Sequence, residues 1–376
     1  MLLVPALIAM PAAARIPTPP EELANIPVAL LVDMNSGRTL YARQQDLRFV
    51  PASMAKVMTA YVAFEEMAAS RLPSDRQFAV SDATARQWNG RGTSMYLKGG
   101  DQITVDALLH GVATASANDA SVVLAESHAG DVPRWCALMN RAAQTLGMSG
   151  SHFATPNGWP DKGATHVTAR DLVTLGEATI TRHPDLYRRY FGQKRMTWNG
   201  VELTSHDPTV GVVRGADGIK TGHTNEAGYN FLGSAERDGR RLIMVVAGAK
   251  SEAERAKASR ALLEWGFSEW HDRPLFAKGA SVGKAVVQAG DARDVPLVTS
   301  RALAATLQKG ESGPISLTVH YRGPLVAPIA KGVQVAELEI RAGNAPPSRL
   351  PLYAAVSVDK AGPLDRLVNG VMGLFS

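Results

Sequence analysis

Between Gly218 and Gly248 apolar residues recur at alternate positions in three successive runs, residues 218–224, 229–235 and 241–248, with turn-forming residues between them. A side-chain period of two belongs to a strand, and strands this close in sequence pair antiparallel, because a parallel partner needs a crossover of roughly a dozen residues. An earlier hairpin, residues 28–33 and 38–42 joined by Met34-Asn35-Ser36-Gly37, supplies two further strands. Between the hairpin and the triplet the apolar spacing is helical, over residues 81–88, 105–113, 121–128, 132–146 and 169–182, and it becomes helical again over 252–265. Strands that flank a helical middle, with the first hairpin joining the later strands, predict an α+β fold with helices packed on one antiparallel sheet.

Beyond Phe267 the pattern changes to short alternating strands, residues 284–288, 296–299, 315–321, 334–340 and 349–356, divided by Gly, Pro and Asp turns. Two domains are expected, residues 26–270 and a small all-β domain over 275–358, and a chain of 376 residues with 45% hydrophobic content can fill both. Cys136 is the only cysteine, so no internal disulfide forms; its apolar helical surroundings predict a buried, inert thiol. A net charge of +5 without any Lys/Arg run argues against a nucleic-acid partner. The nine histidines are scattered without metal-ligand spacing, and no phosphate loop is present, so neither metal nor cofactor is expected.

The two ends read differently from the rest. The apolar run from Met1 to Met10, closed by Pro11-Ala12-Ala13-Ala14, is too short to span a bilayer and fits a signal-peptide remnant over residues 1–14, with the basic start upstream. After the break at Gly362-Pro363, the segment 362–376 places Leu364, Leu367, Val368, Val371, Met372 and Phe375 on one helical face, opposite Asp365, Arg366 and Asn369. Such a helix lies in a membrane interface or docks on its own protein. Together the ends predict export, with the protein held peripherally on the outer, periplasmic face of the cytoplasmic membrane.

Chemistry enters at Pro51-Ala52-Ser53-Met54-Ala55-Lys56. Pro51 and Ala52 suit the first turn of a helix that continues through Phe64, so Ser53 and Lys56 share a face and can touch. A serine hydroxyl is a weak nucleophile until a base takes its proton, and a lysine kept neutral by burial or by a second cation is such a base. Free N–H groups at a helix start can stabilise the resulting oxyanion. Further on, Ser116-Ala117-Asn118-Asp119 interrupts one apolar helical run and opens another. It either presents a hydroxyl and an amide into a cleft or caps the second helix through Ser116 or Asn118. Lys220-Thr221-Gly222 sits on the first strand of the triplet.

Set in order, Ser53-x-x-Lys56, Ser116-x-Asn118 and Lys220-Thr221-Gly222 resemble the three motifs of the penicillin-recognising serine acyltransferases, which comprise the penicillin-binding proteins and the serine β-lactamases. Pro51-Ala52-Ser53, Ser116 to Ala120, Asp217 to Thr224 and Ala227-Gly228-Tyr229-Asn230 narrow the resemblance to the low-molecular-mass D-alanyl-D-alanine carboxypeptidases, from about residue 26 to the chain end. The resemblance implies a penicillin-binding-protein/β-lactamase-like transpeptidase fold followed by a small all-β domain and an amphipathic membrane-anchor helix. It implies that Ser53 attacks the carbonyl between the two D-alanines of a peptidoglycan stem peptide while Lys56 takes its proton. The backbone N–H groups of Ser53 and His223 would form the oxyanion hole, Ser116 would relay a proton to the leaving D-alanine, and Asn118 would hold the substrate amide. Lys220, Thr221 and Gly222 would complete the polar wall. Arg255 matches by spacing a family position that meets the substrate carboxylate; the bland alternative is a solvated arginine on its helix. For His223 the alternative is a packed side chain, since the family asks mainly for its backbone.

The implied partners are a peptidoglycan stem peptide ending in D-Ala-D-Ala, β-lactam antibiotics as inhibitors, and a membrane surface through the C-terminal helix. Ala55 stands where many relatives carry threonine and Ala117 where glycine is common; neither position supplies a reacting group. A serine β-lactamase usually needs a glutamate, with an asparagine a few residues on, between the second and third motifs, and Glu126, Glu177 and Glu202 lack that partner. A D,D-endopeptidase is a further alternative that the residues leave open. A non-catalytic wall-binding module predicts loss of Ser53, Lys56, Ser116 or Lys220, and all four are present.

Overall fold

The protein is described by a computed structural model that covers residues 17–343 and 345–362. The expected leader over 1–14 and the amphipathic segment 364–376 lie outside the described residues.

The central sheet runs in the order Thr39–Arg43, Val28–Asp33, Arg240–Ala249, Gly228–Arg237, Ala216–Thr224, with every neighbouring pair antiparallel. The N-terminal hairpin thus joins the later triplet as expected. Its turn is held by the Asp33 carboxylate, which accepts from the backbone N–H groups of Asn35 (2.9 Å) and Ser36 (3.1 Å). Alternation along Val28–Asp33 feeds two cores. Val28, Leu30 and Val32 point into a helical layer, whereas Ala29 and Leu31 point onto Leu262 and Leu263 of the helix Glu252–Ser268. Each fully buried aliphatic side chain contributes about 1.5–3 kcal/mol, and a one-residue register slip, which exchanges the two faces, would spoil the fit to both cores at once.

The helical layer holds Lys56–Ala68, Asp82–Trp88, Val105–Ala113, Asn118–Ala129, Val132–Thr145, Ala169–Arg182 and Pro184–Tyr190. Lys56–Ala68 runs through its middle: Val57, Met58, Ala60, Tyr61, Val62, Ala63 and Phe64 are all buried, so both of its faces are packed. Cys136 is buried, as expected, and burial pushes its thiol up to about 11.

The second domain is all-β. Its six-stranded sheet has the order Ile315–His320, Gln334–Ala342, Ser348–Ala354, Asp294–Val298, Ser281–Gln288, Leu325–Val326, closed around a core that includes Leu297, Leu338 and Leu352. The antiparallel pair Trp270–Phe276 and Leu303–Gln308 lies beside it and was not expected from the sequence. The junction between the domains is polar. Arg240 donates from Nε to Asp33 at 2.7 Å and lies 3.1 Å from Asp272, Thr306 Oγ1 donates to Asp272 at 2.8 Å, and Ser348 Oγ donates to the Ser36 carbonyl. Burial and the facing Asp33 carboxylate push Asp272 up to about 7.

Candidate active site

Pro51 opens a single 3₁₀ turn, Ala52–Ala55, and the α-helix begins only at Lys56. The expected helix start is therefore tighter than a first α-turn, and Ala52 opens it at φ +50, a conformation outside the right-handed helical region. Ser53 ends half-buried on this turn. Lys56 lies beneath it, 1% exposed, with Nζ 2.8 Å from Ser53 Oγ, 2.8 Å from Asn118 Oδ1 and 3.0 Å from the carbonyl of Asn157. The orientation of Asn118 is fixed, because its Nδ2 donates to the carbonyl of Arg91 at 2.9 Å.

That set of partners is satisfied by a neutral amine as well as by an ammonium. Two of the three neighbours are carbonyl oxygens, which only accept, and the third is a hydroxyl. A neutral amine matches them fully, giving one N–H to each carbonyl and its lone pair to the Ser53 O–H. The electrostatics favour the neutral form. Burial, reinforced by the ammonium of Lys220, holds Lys56 well below the ordinary lysine range, against an opposing pull from Asp119.

The remaining predicted residues converge on the same place. Ser116 takes φ +59, its carbonyl accepts from Thr93 Oγ1 at 2.6 Å, and its side chain lines the cleft. The helix Asn118–Ala129 starts after Ala117 without a side-chain cap, so the capping alternative for Ser116 and Asn118 does not hold; Asn118 spends its amide on Lys56 and Arg91 instead. Asp119 anchors the motif from behind, accepting from Ser94 Oγ at 2.6 Å and from the N–H groups of Met95 and Leu97.

The edge strand Ala216–Thr224 forms the opposite wall. Gly222 is required there, because a Cβ would lie 2.4 Å from the carbonyl of Pro51. The strand's backbone thereby comes directly against the Ser53 turn. Asn230, on the next strand, fastens the sheet to the segment that leads into the turn, donating to the carbonyl of Val50 at 3.2 Å and accepting from Gly248 N–H of the strand beyond at 2.8 Å. Lys220 lies under the wall, 4% exposed, donating to the carbonyl of Thr221 at 3.2 Å; burial lowers it to about 7, with Asp207 raising and Arg255 lowering it. His223 is exposed and stacked on Tyr229 at 3.9 Å, not packed in a core. Arg255 is 3% exposed and borders the cleft, so it is not the solvated helix arginine of the alternative. It donates to Glu252 Oε1 at 2.9 Å and to the carbonyl of His206 at 3.4 Å, and its Nε has no partner among the described residues.

The resulting cleft encloses about 630 Å³, and Ser53, Ser116, Asn118, Thr221, Gly222, His223 and Arg255 all border it, with Lys56 and Lys220 buried behind. Sequence reasoning passed over Asn157, Gly158, Trp159, Gly92 and Thr93, which also line it. Asn157 contributes its backbone carbonyl, and Thr93 its carbonyl to Asn118 N–H and its hydroxyl to the Ser116 carbonyl, contacts that no side-chain pattern announces; the Pro156-Asn157-Gly158 turn was the only local signal. Among the described residues, no group of acidic, His or Cys side chains is placed to hold a metal ion.

Over residues 15–251 the chain matches the D-alanyl-D-alanine carboxypeptidase family, and over residues 270–360 the C-terminal domain of penicillin-binding protein 5. It is 36% identical over 377 residues to the D-alanyl-D-alanine carboxypeptidase DacD of Salmonella typhimurium, covering 98% of this chain and 94% of that protein. Penicillin-binding protein 5 from Haemophilus influenzae shares the fold with a TM-score of 0.73 at 29% identity, over 91% of this chain and 99% of that one. Penicillin-binding protein D2 from Listeria monocytogenes, solved in its ampicillin-bound form, gives 0.58 at 31% identity, over 65% of this chain and 97% of that one.

Proposed function

The chain belongs to the D-alanyl-D-alanine carboxypeptidase family, and from that premise we propose how its cleft works. It is a serine D-Ala-D-Ala carboxypeptidase of the penicillin-binding type, a hydrolase that removes the terminal D-alanine from peptidoglycan stem pentapeptides and is acylated by penicillin. The observation that carries the mechanism is the buried Lys56 amine, 2.8 Å from Ser53 Oγ and otherwise faced by two carbonyls.

Neutral Lys56 takes the Ser53 proton as Oγ attacks the carbonyl between the two D-alanines. The negative charge that develops on the carbonyl oxygen is met by the backbone N–H groups of Ser53 and His223; the close approach of Gly222 to Pro51 supports this pairing. Ser116 passes a proton to the leaving D-alanine, Asn118 holds the substrate amide, and Lys220, Thr221 and Arg255 receive the terminal carboxylate. Water then releases the acyl-enzyme. A β-lactamase reading finds no support in the site. Glu126 pairs with Thr84, Glu177 with Arg301 and Glu202 with Arg195, and among the described residues lining the cleft the single carboxylate, Glu252, pairs with Arg255. D-alanine release from diacetyl-Lys-D-Ala-D-Ala tests the reading: the wild type liberates it, Ser53→Ala does not, and equal release by both would sink the role of Ser53.

The state of Lys220 gives a pH dependence with a definite sign. In the free enzyme it is charged below about 7 and neutral above, so kcat/KM for a carboxylate-terminated substrate falls as pH rises through about 7. Lys220→Arg keeps its charge and moves that limb to higher pH; a limb near 7 in both proteins assigns the titration elsewhere. Stability runs the opposite way. The unfolded chain holds this proton up to the ordinary value of 10.5, so stability rises with pH between about 7 and 10.5.

The remaining proposal concerns location. Its support is the sequence: residues 1–14 as a leader remnant and the one-sided apolar face of 364–376 place the enzyme outside the cytoplasmic membrane, held at the bilayer surface. Removing residues 364–376 is expected to shift the exported protein from the membrane fraction to the soluble one, with D-alanine release intact. Unchanged sedimentation with membranes would overturn the anchor.

A further inference from the structure

We propose that Arg91, pinned at the mouth of the cleft on the rings of Trp88 and Trp159, selects stem peptides whose residue before the two D-alanines carries a side-chain carboxylate; this rests on the carboxypeptidase reading above. Two groups of residues border the cleft: Thr221, His206 and Arg255, which lie near Lys220, and Gly92, Thr93 and Trp159, of which the first two lie against Asn118. In the proposed binding mode the terminal carboxylate is met by the first group, and the upstream residues run past Asn118 toward the second.

Arg91 is fixed there without using its hydrogen-bonding capacity. Its guanidinium carbon lies 4.7 Å from the centre of the Trp159 ring and 5.4 Å from that of Trp88, and the two indoles meet edge to face at 5.4 Å and 86°. Cation–π contacts hold the planar face of the group. They leave the N–H donors at its edge free, and among the described residues the Arg91 side chain makes no hydrogen bond or ion pair, whereas Arg255 of the first group is paired with Glu252.

The backbone fixes where this cation sits relative to the reacting atoms. Arg91 N–H donates to the carbonyl of Trp88 at 3.0 Å, and its carbonyl accepts from Asn118 Nδ2 at 2.9 Å. Gly92 follows at φ +68, where a Cβ would lie 2.8 Å from Asn118 Nδ2 and 3.3 Å from the Trp159 ring, so the loop is seated on the second motif. An exposed guanidinium held in one place with its donors unspent fits a carboxylate, which it can meet with two parallel hydrogen bonds. The half-buried Trp159 ring supplies apolar surface for the methylene chain that carries such a group.

The test compares D-alanine release from two peptides that differ only in the residue before D-Ala-D-Ala, lysine in one and a diamino acid bearing a terminal side-chain carboxylate in the other. The wild type is expected to favour the carboxylate-bearing peptide in kcat/KM by about tenfold, as one partly exposed charge-assisted contact supplies. In Arg91→Gln the ratio falls to near one, Arg91→Lys lies between, and added salt lowers the wild-type ratio. A ratio equal in wild type and Arg91→Gln overturns the proposal, and so does a loss shared by both peptides, which assigns the loop a packing role only. Release from neither peptide by the wild type defeats the carboxypeptidase reading and the proposal with it; an unchanged ratio in an active enzyme defeats the proposal alone.

Discussion

Replacing Lys56 by methionine is expected to slow penicillin acylation of the enzyme by roughly 10³-fold, within the 10²–10⁴ range that a positioned general base supplies. Lys56→Arg should be as slow. Arginine keeps a cation beside Ser53 but stays protonated at any pH the protein survives, so it cannot take the Ser53 proton. The pair therefore separates two roles for the residue: an electrostatic helper predicts that Lys56→Arg retains activity, and a base predicts that it does not. Folding is a separate matter. Methionine leaves Asn118 Oδ1 and the Asn157 carbonyl without the donor they face, at about 1–3 kcal/mol per orphaned group, partly offset by no longer burying an amine. Stopped-flow acylation rates read beside thermal unfolding distinguish the two effects, and a Lys56→Arg rate near that of the wild type contradicts the mechanism.

The second large effect comes from a residue with no side chain. Gly158 has φ +71, and a Cβ there would lie 1.8 Å from the carbonyl oxygen of Ala52 and 3.2 Å from Ala55 Cβ. Gly158→Ala must push the 155–159 turn away from the Ser53 turn, and with it the Asn157 carbonyl that holds Lys56. A displacement of about 1 Å at a catalytic group costs on the order of 10² in rate. Strain plus clash should lower stability by about 2–4 kcal/mol. Gly163 is the control: φ is +80, but a Cβ there meets nothing within 4 Å. Gly163→Ala should show only the left-handed penalty of about 1 kcal/mol with acylation unaffected. If Gly158→Ala acylates as fast as Gly163→Ala, the turn does not position the base.

Much of this architecture was readable before any coordinates. The period-two triplet fixed an antiparallel sheet because strand pairing is local there, and the three motifs brought Ser53, Lys56, Ser116, Asn118 and Lys220 into one reading because their chemistry needs those side chains. What escaped has a physical pattern. Asn157 acts through its backbone carbonyl, Thr93 through its carbonyl and a hydroxyl that meets the backbone of Ser116, Gly158 through the absence of a Cβ, and Arg91 through its contact with Trp159 across 68 residues of chain. Trp270–Phe276 was missed because its partner, Leu303–Gln308, follows only after intervening strands, and because Pro274 within it reads as a strand breaker although it sits in this two-stranded pair. The helix Pro184–Tyr190 was hidden because Pro184, two residues past Arg182, reads as the end of the preceding helix, and the hairpin of Arg195–Trp198 and Val201–Thr204 by exposure, which leaves it little apolar pattern. Arg255 could not be told from a surface arginine by spacing on its helix; burial against the cleft distinguishes it.

The most direct test of the central claim, that Ser53 activated by neutral Lys56 is the acylated nucleophile, is peptide mapping of the protein after brief exposure to penicillin. The expected result is one adduct of the full penicillin mass on the peptide containing Ser53, absent from Ser53→Ala and strongly slowed in Lys56→Met. An adduct on any other residue, or undiminished labelling of Ser53→Ala, would contradict it.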